Sequence, residues 1–272
     1  MRIDKDTSST MHRMKERLSL VSYERITHEL NKMLLGDNVS DVLIEYSDVL
    51  AVIIPEIKPM VGFDQHNYHH DFDVWRHTVA VVAGSKKDLS LRLSALLHDI
   101  AKPRTYTVDE NGTGHFFGHA SLGAQMSEEI LLRLKYPTKT VSEVTGIIKH
   151  HADVFVVEER PVKRLLSKFG MNGLCRLAEL RKADSLGKKK AGVEDIKSIS
   201  EADRLVSMAE EIVKAEKCFS LKQLALNGDD IMSFGIPAGR EIGRLLQEAL
   251  DAVIDGRCEN TKESCIRYLG LK

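Results

Sequence analysis

Apolar residues return at helical intervals through almost the whole chain, and this period constrains the fold more than any other feature. Leu18, Val21, Ile26, Leu30, Met33 and Leu34 recur along a segment that stops at Gly36. A second helix is predicted from Val39 to Ile54, where Pro55 ends it by withholding a backbone donor. Strongly apolar helices are expected over Val74–Ala83 and Leu89–Ala101. Thr140-Val-Ser-Glu143 has the capping-box spelling, which opens a helix running to about His151. More helices are expected over Asn172–Leu186, Ser200–Lys217, Ser220–Leu226, Ala238–Ile254 and Thr261–Leu269.

The strand-like exception is Thr105–Val108 with His115–Phe117, flanking Asp109-Glu-Asn-Gly112. That turn composition predicts a small hairpin within 105–117. The fold class is therefore all-α. Soft boundaries at Pro55–Gly62 and at the polar Gly187–Asp195 suggest a helical stalk over 1–60, a central histidine-rich unit over 61–190 and a helical tail over 191–272.

Composition narrows the class. With 43% hydrophobic and 29% charged residues, the chain has the balance of a soluble globular protein, so disorder as its main state is excluded. The longest apolar run, Val49–Ile54, falls far short of the ~20 residues that span a bilayer. No charged-then-apolar leader follows Met1, so no secretory signal is expected. Cys175, Cys218, Cys258 and Cys265 contain no C-x-x-C pair and read as free thiols of a cytoplasmic protein.

Net charge is −1, yet it is unevenly spread: Arg160 to Lys190 holds ten basic residues and two acidic ones, Glu179 and Asp184. A basic stripe of this kind attracts phosphate backbones. A solvated helix face is the plainer explanation of the same charges.

The histidines carry the chemistry. Nine of the eleven lie between His66 and His151. The sharpest feature is His98-Asp99, at the end of the apolar segment Leu91–Ala101. An acid and an imidazole are costly to bury there unless something compensates them. A cation lying between helices would satisfy both; helix-end dipole compensation is the alternative. His77 sits on the preceding apolar helix and Asp184 on a later one, which gives a four-ligand nitrogen and oxygen site. His119 opens a helix, and His150-His151 closes another. With Asp99 as a bridge, these form a second ion position. A hard donor set without thiolate suits Mn, Fe, Mg, Ni or Zn.

His77…His98-Asp99…Asp184 resembles the signature of the HD superfamily of metal-dependent phosphohydrolases, and His119 and His151 resemble its dinuclear branch. The likeness extends further. Ser22–Lys32, Ile54-Pro-Glu, His70–Thr78, His98–Pro103, Phe117–Ala120, Leu180–Ser185 and Leu226–Leu246 resemble the post-catalytic half of bacterial CCA-adding tRNA nucleotidyltransferases, across about residues 15–270. Those enzymes begin with a nucleotidyltransferase head, a glycine turn followed by paired aspartates on a strand. Asp71-Phe-Asp73 copies the aspartate spacing but leads into a helix without the glycines, so it reads as an acidic helix start.

The resemblance implies an HD bundle between stalk and tail, holding one or two divalent ions. It implies a phosphohydrolase or phosphodiesterase that acts on nucleotides or on RNA-terminal 2′,3′-cyclic or 2′-phosphates. Asp99 would hold the ions that activate water. Lys102 would stabilise phosphoryl charge, and Arg104 would assist in substrate binding. His70, with Gln65, falls where the family has residues near the pocket mouth. The family register favours His151 as a ligand over His150, which is left as a second ligand or a substrate contact. His115 reads as packing or substrate edge, Trp75 and Phe72 as core, and Cys175 as a small core residue. The expected partners are such a substrate and tRNA along 160–190, with no membrane. Two rivals remain: a non-catalytic RNA-binding module, or one half of a split transferase that needs a separate head.

Overall fold

The computed structural model describes residues 3–65, 73–188 and 193–271. Their regular structure is fourteen α-helices, two 3-10 stretches and one two-stranded hairpin, so the all-α expectation holds. The chain packs as two units: residues 1–153 with 176–202, and residues 154–175 with 203–272.

The first unit opens with α1 (Lys5–Met14), a 3-10 stretch over Lys15–Leu20 and α2 (Tyr23–Leu35). The single helix expected from Leu18 is interrupted because Val21 and Ser22 are extended, and α2 starts afresh after Ser22. The helix expected over 39–54 is likewise two, α3 (Val39–Glu45) and α4 (Ser47–Ile53), which part at Tyr46. Pro55 does end it, and opens a 3-10 stretch over Pro55–Met60.

α5 (Val74–Gly84) is capped by Asp73, whose carboxylate accepts the Arg76 N–H at 2.8 Å. This is the acidic helix start read from the sequence; Asp71 and Phe72 lie outside the described residues. α6 (Leu89–Leu97) is shorter than expected, stopping before His98. A turn then leads into α7 (Lys102–Thr105).

The hairpin forms where expected. β1 (Thr107–Val108) pairs antiparallel with β2 (Gly114–His115). The Asp109 carboxylate accepts the N–H groups of Asn111 and Thr113 across the turn.

α8 (His119–Arg133) and α9 (Thr138–His150) pack side by side. The capping box at Thr140 does not form: α9 begins two residues earlier, after Pro137, without a side-chain cap. α10 (Glu159–Leu186) is longer than the helix expected from Asn172, with a left-handed break at Gly170 (φ 62°). α11 (Val193–Lys214) starts seven residues before the expected Ser200.

The core of the first unit is aliphatic, with Leu34, Leu43, Ile57, Met60, Leu93, Leu96 and Ile130 fully buried. Arg92 is buried among them. Its guanidinium donates to the carbonyls of Leu34, Gly36 and Ser85. It thereby satisfies the orphan acceptors at the C-terminal ends of α2 and α5.

The second unit holds α12 (Gly228–Met232), α13 (Arg240–Ile254) and α14 (Lys262–Leu269). Ser220–Leu226 forms turns rather than the expected helix. α12 is an unexpected helix with a capping box between Asn227 and Asp230. Leu226, Ile231, Leu245, Ala249, Leu250, Ile254 and Cys265 make its core. All four cysteines are free, and Cys175 is half-buried on α10. Among the described residues no helix is long and apolar enough to cross a membrane.

Candidate metal centre

Local rules deliver each ligand-type side chain. α6 is buried over Leu91–Leu97, so the turn that ends it lies inside the protein. His98 takes the C-cap position there, and its Nδ1 donates to the Ala95 carbonyl at 2.8 Å. The chain then tightens, with Ile100 N–H on the Leu97 carbonyl and Lys102 N–H on the Asp99 carbonyl. Ending the helix at this point lets consecutive residues face one space, which a continuing helix would separate by about 100°. α8 packs against this turn at Gly123, where a Cβ would stand 3.4 Å from the His98 carbonyl oxygen.

His119 and His151 repeat the His98 arrangement. The His119 Nδ1 lies 2.8 Å from the Phe116 carbonyl, and the His151 Nδ1 lies 2.6 Å from the Ile148 carbonyl. Each of the three rings therefore carries its proton on Nδ1 when neutral and presents the Nε2 lone pair, a tautomer set by the hydrogen bond.

Those lone pairs converge. His77, His98 and Asp184 form one group whose ligand atoms lie within 4.8 Å of one another; Asp99, His119 and His151 form another. His77 Nε2 is 2.8 Å from Asp184 Oδ1, and His98 Nε2 is 3.6 Å from the same oxygen. Asp99 stands between the groups. Its Oδ2 is 3.3 Å from His98 Nε2 and 3.6 Å from His77 Nε2, while its Oδ1 is 3.8 Å from His119 Nε2. His119 Nε2 and His151 Nε2 face each other at 3.2 Å. Two acceptor nitrogens at that distance repel unless a proton or a cation lies between them.

Electrostatics define what the cluster requires. Burial alone would raise both carboxyl pKa values, but His98 and Lys102 hold Asp99 well below the usual range, and His77 and His98 do the same for Asp184. Burial also works against an imidazolium at His98, yet Asp99 and Asp184 overcome it and push its pKa up to about 10. Burial, reinforced by His98 and His119, pushes His151 down to about 4. The His98 Nε2 atom is buried without a hydrogen-bond partner. Lys102 adds an ammonium 2.8 Å from Asp99 Oδ2, an ion pair lacking good hydrogen-bond angles. Its other contacts are the Gln65 Oε1 at 3.0 Å and the Phe116 ring at 5.2 Å.

All six ligand-type residues inferred from the sequence meet in this cluster. Of the other expected site residues, Lys102 joins the cluster, and Arg104, His150 and His115 lie apart from it. Lys102 points inward to Asp99 and Gln65. Arg104 is exposed. The His150 Nδ1 binds the Asp153 carboxylate at 2.5 Å, so of the two adjacent histidines it is His151 that joins the cluster. His115 pairs with Asp109 at 2.8 Å on the hairpin. His70 lies outside the described residues. Trp75 is core, as expected, and donates to the Leu43 carbonyl.

Sequence reasoning missed Phe116 beneath Lys102, and it missed Gly114, where a Cβ would collide with the Gln65 carbonyl. A glycine inside a strand was the signal that backbones approach closely there.

The basic stretch does not form a continuous free face. Arg176 pairs with Asp88 and Glu143, Lys182 with Glu179, and Lys163 with Glu159. Arg181 donates to Ser198 and to the Asp153 carbonyl, and Lys188 pairs with Asp195.

An all-α chain with a buried His/Asp cluster defines a class, and comparison with known proteins defines the family. Residues 115–269 match the family described as tRNA nucleotidyltransferase domain 2. Residues 1–61 match the "Probable RNA and SrmB-binding site of polymerase A". The chain belongs to the tRNA nucleotidyltransferase domain 2 family. It is 32% identical over 260 residues to the CC-adding tRNA nucleotidyltransferase of Thermus thermophilus, covering 92% of this chain and 57% of the relative. It is 26% identical over 257 residues to the A-adding tRNA nucleotidyltransferase of Deinococcus radiodurans, covering 91% and 58%. The chain thus spans a little over half the length of these relatives. The Bacillus stearothermophilus CCA-adding enzyme in complex with CTP shares the fold, with a TM-score of 0.58 at 20% identity, over 98% of this chain and 56% of that one.

These relatives correct the expected activity. They are named as nucleotidyltransferases, which are transferases, so the reading of the chain as an HD-type phosphohydrolase or phosphodiesterase is replaced. The resemblance to CCA-adding enzymes is upheld.

Proposed function

We propose that this chain is the tRNA-holding body of a tRNA nucleotidyltransferase, working with a nucleotidyltransferase head that these 272 residues do not supply. The observation that carries this reading is the family match over residues 115–269, together with relatives that align to nine-tenths of the chain and to little more than half of themselves. The match of residues 1–61 to an RNA-binding region supports it. The test is fluorescence anisotropy with a tRNA transcript that lacks its 3′-terminal CCA, alongside incorporation of labelled CMP and AMP. The chain alone should bind the transcript in a salt-dependent way and add no nucleotide. Absence of tRNA binding, or nucleotide addition by the chain alone, would refute the proposal.

The same reading includes a divalent cation in the His/Asp cluster and membership of the helical bundle in the HD superfamily as a cation-binding fold. The orphaned His98 Nε2 and the facing nitrogens of His119 and His151 fit such an ion. His77, His98, Asp99 and Asp184 would hold one ion, and Asp99, His119 and His151 a second. When bound, a divalent ion supplies positive charge that neutralises the buried carboxylates. The nitrogen and oxygen donors suit Mn, Fe, Mg, Ni or Zn. Elemental analysis of the purified chain, with melting measured before and after chelation, tests this directly: bound metal and a lower melting point on chelation are expected.

A further inference from the structure

The second unit contains a cavity of about 520 Å³ bordered by Arg164 and Lys168 of α10 and by Asp255 and Arg257 after α13. Its charges are preassembled. The Arg164 Nε and Nη2 both donate to the Asp255 Oδ1, at 3.2 and 2.5 Å. The Arg257 Nη2 donates to the Asp255 Oδ2 at 3.1 Å. The Arg257 Nη1 donates to the Tyr268 Oη at 2.6 Å, and its guanidinium lies 5.4 Å from the Tyr268 ring centroid. One carboxylate therefore orients two guanidinium groups, each with five N–H donors of which only two are engaged in these bonds.

Arg160 adds to the excess. It is exposed and forms no salt bridge within 4.0 Å among the described residues, and its Nη2 lies 3.8 Å from where a Cβ on Gly256 would stand. Arg160, Arg164 and Lys168 are spaced four residues apart, so they share one helix face before the break at Gly170. The other acid at the cavity, Asp251, accepts from Gln247 at 3.0 Å. Arg244, elsewhere in the same unit, has the opposite balance: one guanidinium facing both Glu241 and Glu248.

We propose that this arginine-lined cavity is an anchoring site for the backbone phosphates of RNA. The proposal rests on the tRNA-holding reading above. Guanidinium forks match phosphate oxygens bidentately. The eight steps from Arg160 to Lys168 extend about 12 Å along the helix, long enough to follow successive phosphates of one strand. A phosphodiester strand brings repeated negative charge at that spacing, which a single acidic side chain of a protein partner does not. Much of the remaining basic stretch is already neutralised by Asp88, Glu143, Glu179, Glu159 and Asp195. Of the described basic residues in 160–190, Arg160, Arg164 and Lys168 lie at or beside this cavity.

The test uses the full chain and a tRNA transcript, with affinity measured by anisotropy from 50 to 200 mM KCl. An Arg160→Gln, Lys168→Gln double variant keeps the Arg164–Asp255–Arg257 contacts, and with them the fold. It should bind more weakly, and the slope of log affinity against log salt should fall by about 1 for each phosphate contact removed. Arg164→Gln should weaken binding too, with circular dichroism checking that the helices persist. Arg244→Gln should behave as wild type. A double variant with wild-type affinity and slope, while the wild type still binds tRNA, overturns the phosphate site and leaves the tRNA-holding reading in place. Failure of the wild-type chain to bind tRNA overturns both.

Discussion

Lys102→Met tests the charge balance of the His/Asp cluster most directly. Methionine keeps most of the apolar stem of the lysine and removes only the ammonium. That ammonium lies 2.8 Å from Asp99 Oδ2 and 3.0 Å from Gln65 Oε1, with the Lys102 side chain 8% exposed and that of Asp99 2% exposed. Removing one member of a buried ion pair costs about 3–5 kcal/mol, because the other charge stays buried. At a urea slope of about 2 kcal/mol/M, the unfolding midpoint should fall by about 1.5–2.5 M in chelator. The protein supplies its own probe. Trp75 is the only tryptophan; it is buried on α5, two residues from His77. Its fluorescence therefore reports on the unit that contains the cluster. A midpoint within about 0.3 M of wild type would show that the ammonium does not compensate Asp99.

Three further outcomes follow from the same geometry. Gly114→Ala should lower stability by about 1–3 kcal/mol, since the new Cβ would strike the Gln65 carbonyl and the Tyr106 ring; an unchanged melting temperature would refute the close approach. His151→Ala should weaken Mn²⁺ binding in calorimetry by more than the ~10–100-fold typical of an outer-shell change, whereas His150→Ala should leave it unaltered, and equal effects would remove the distinction between them. Burial disfavours the Glu56 carboxylate, but the two bonds from Arg133 outweigh it and hold its pKa below the ordinary 4.5. The stability this gives is fully present above pH 4.5 and is lost as pH falls through the folded value. Glu56→Gln should thus be less stable than wild type at pH 7, by about 0.5–1 kcal/mol for a half-buried pair, and the gap should close towards pH 3; a gap independent of pH would refute it.

The ligand-type residues were legible because their chemistry conflicts with their surroundings. His77, His98 and Asp99 stand on or at the end of apolar segments, where an uncompensated polar group is costly. The family register already favoured His151 over His150, and the backbone supplies the physical reason: of the two, only His151 caps α9 and turns its Nδ1 onto the carbonyl three residues before. Helix boundaries were less legible. The apolar period runs unbroken through Tyr46, but the backbone there does not. The Thr140 box was spelled correctly and left unused, because Pro137 had already started the helix. Charge was the least legible. Ten cations counted along one stretch look like a free face until Asp88, Glu143, Asp195 and Asp255 arrive from elsewhere in the chain.

The correction of activity follows from the same separation of ligands from chemistry. A set of histidines and aspartates with the right spacing specifies where a cation can sit, because spacing and burial govern coordination. It does not specify what the cation is for, and unrelated functions share such sites on one fold. Lys102 marks the difference here. A lysine that holds a substrate phosphate needs its ammonium in a cleft reached from solvent, yet this one is covered and already bound by Asp99, Gln65 and the face of Phe116. In that position it balances interior charge. The same balance, extended by a divalent ion, would join the ends of α6, α8 and α9 to α5 and α10 within one unit. If the chain holds tRNA for a separate head, as proposed above, that rigidity would matter, since small displacements at the holding surface would be carried through to the reacting end.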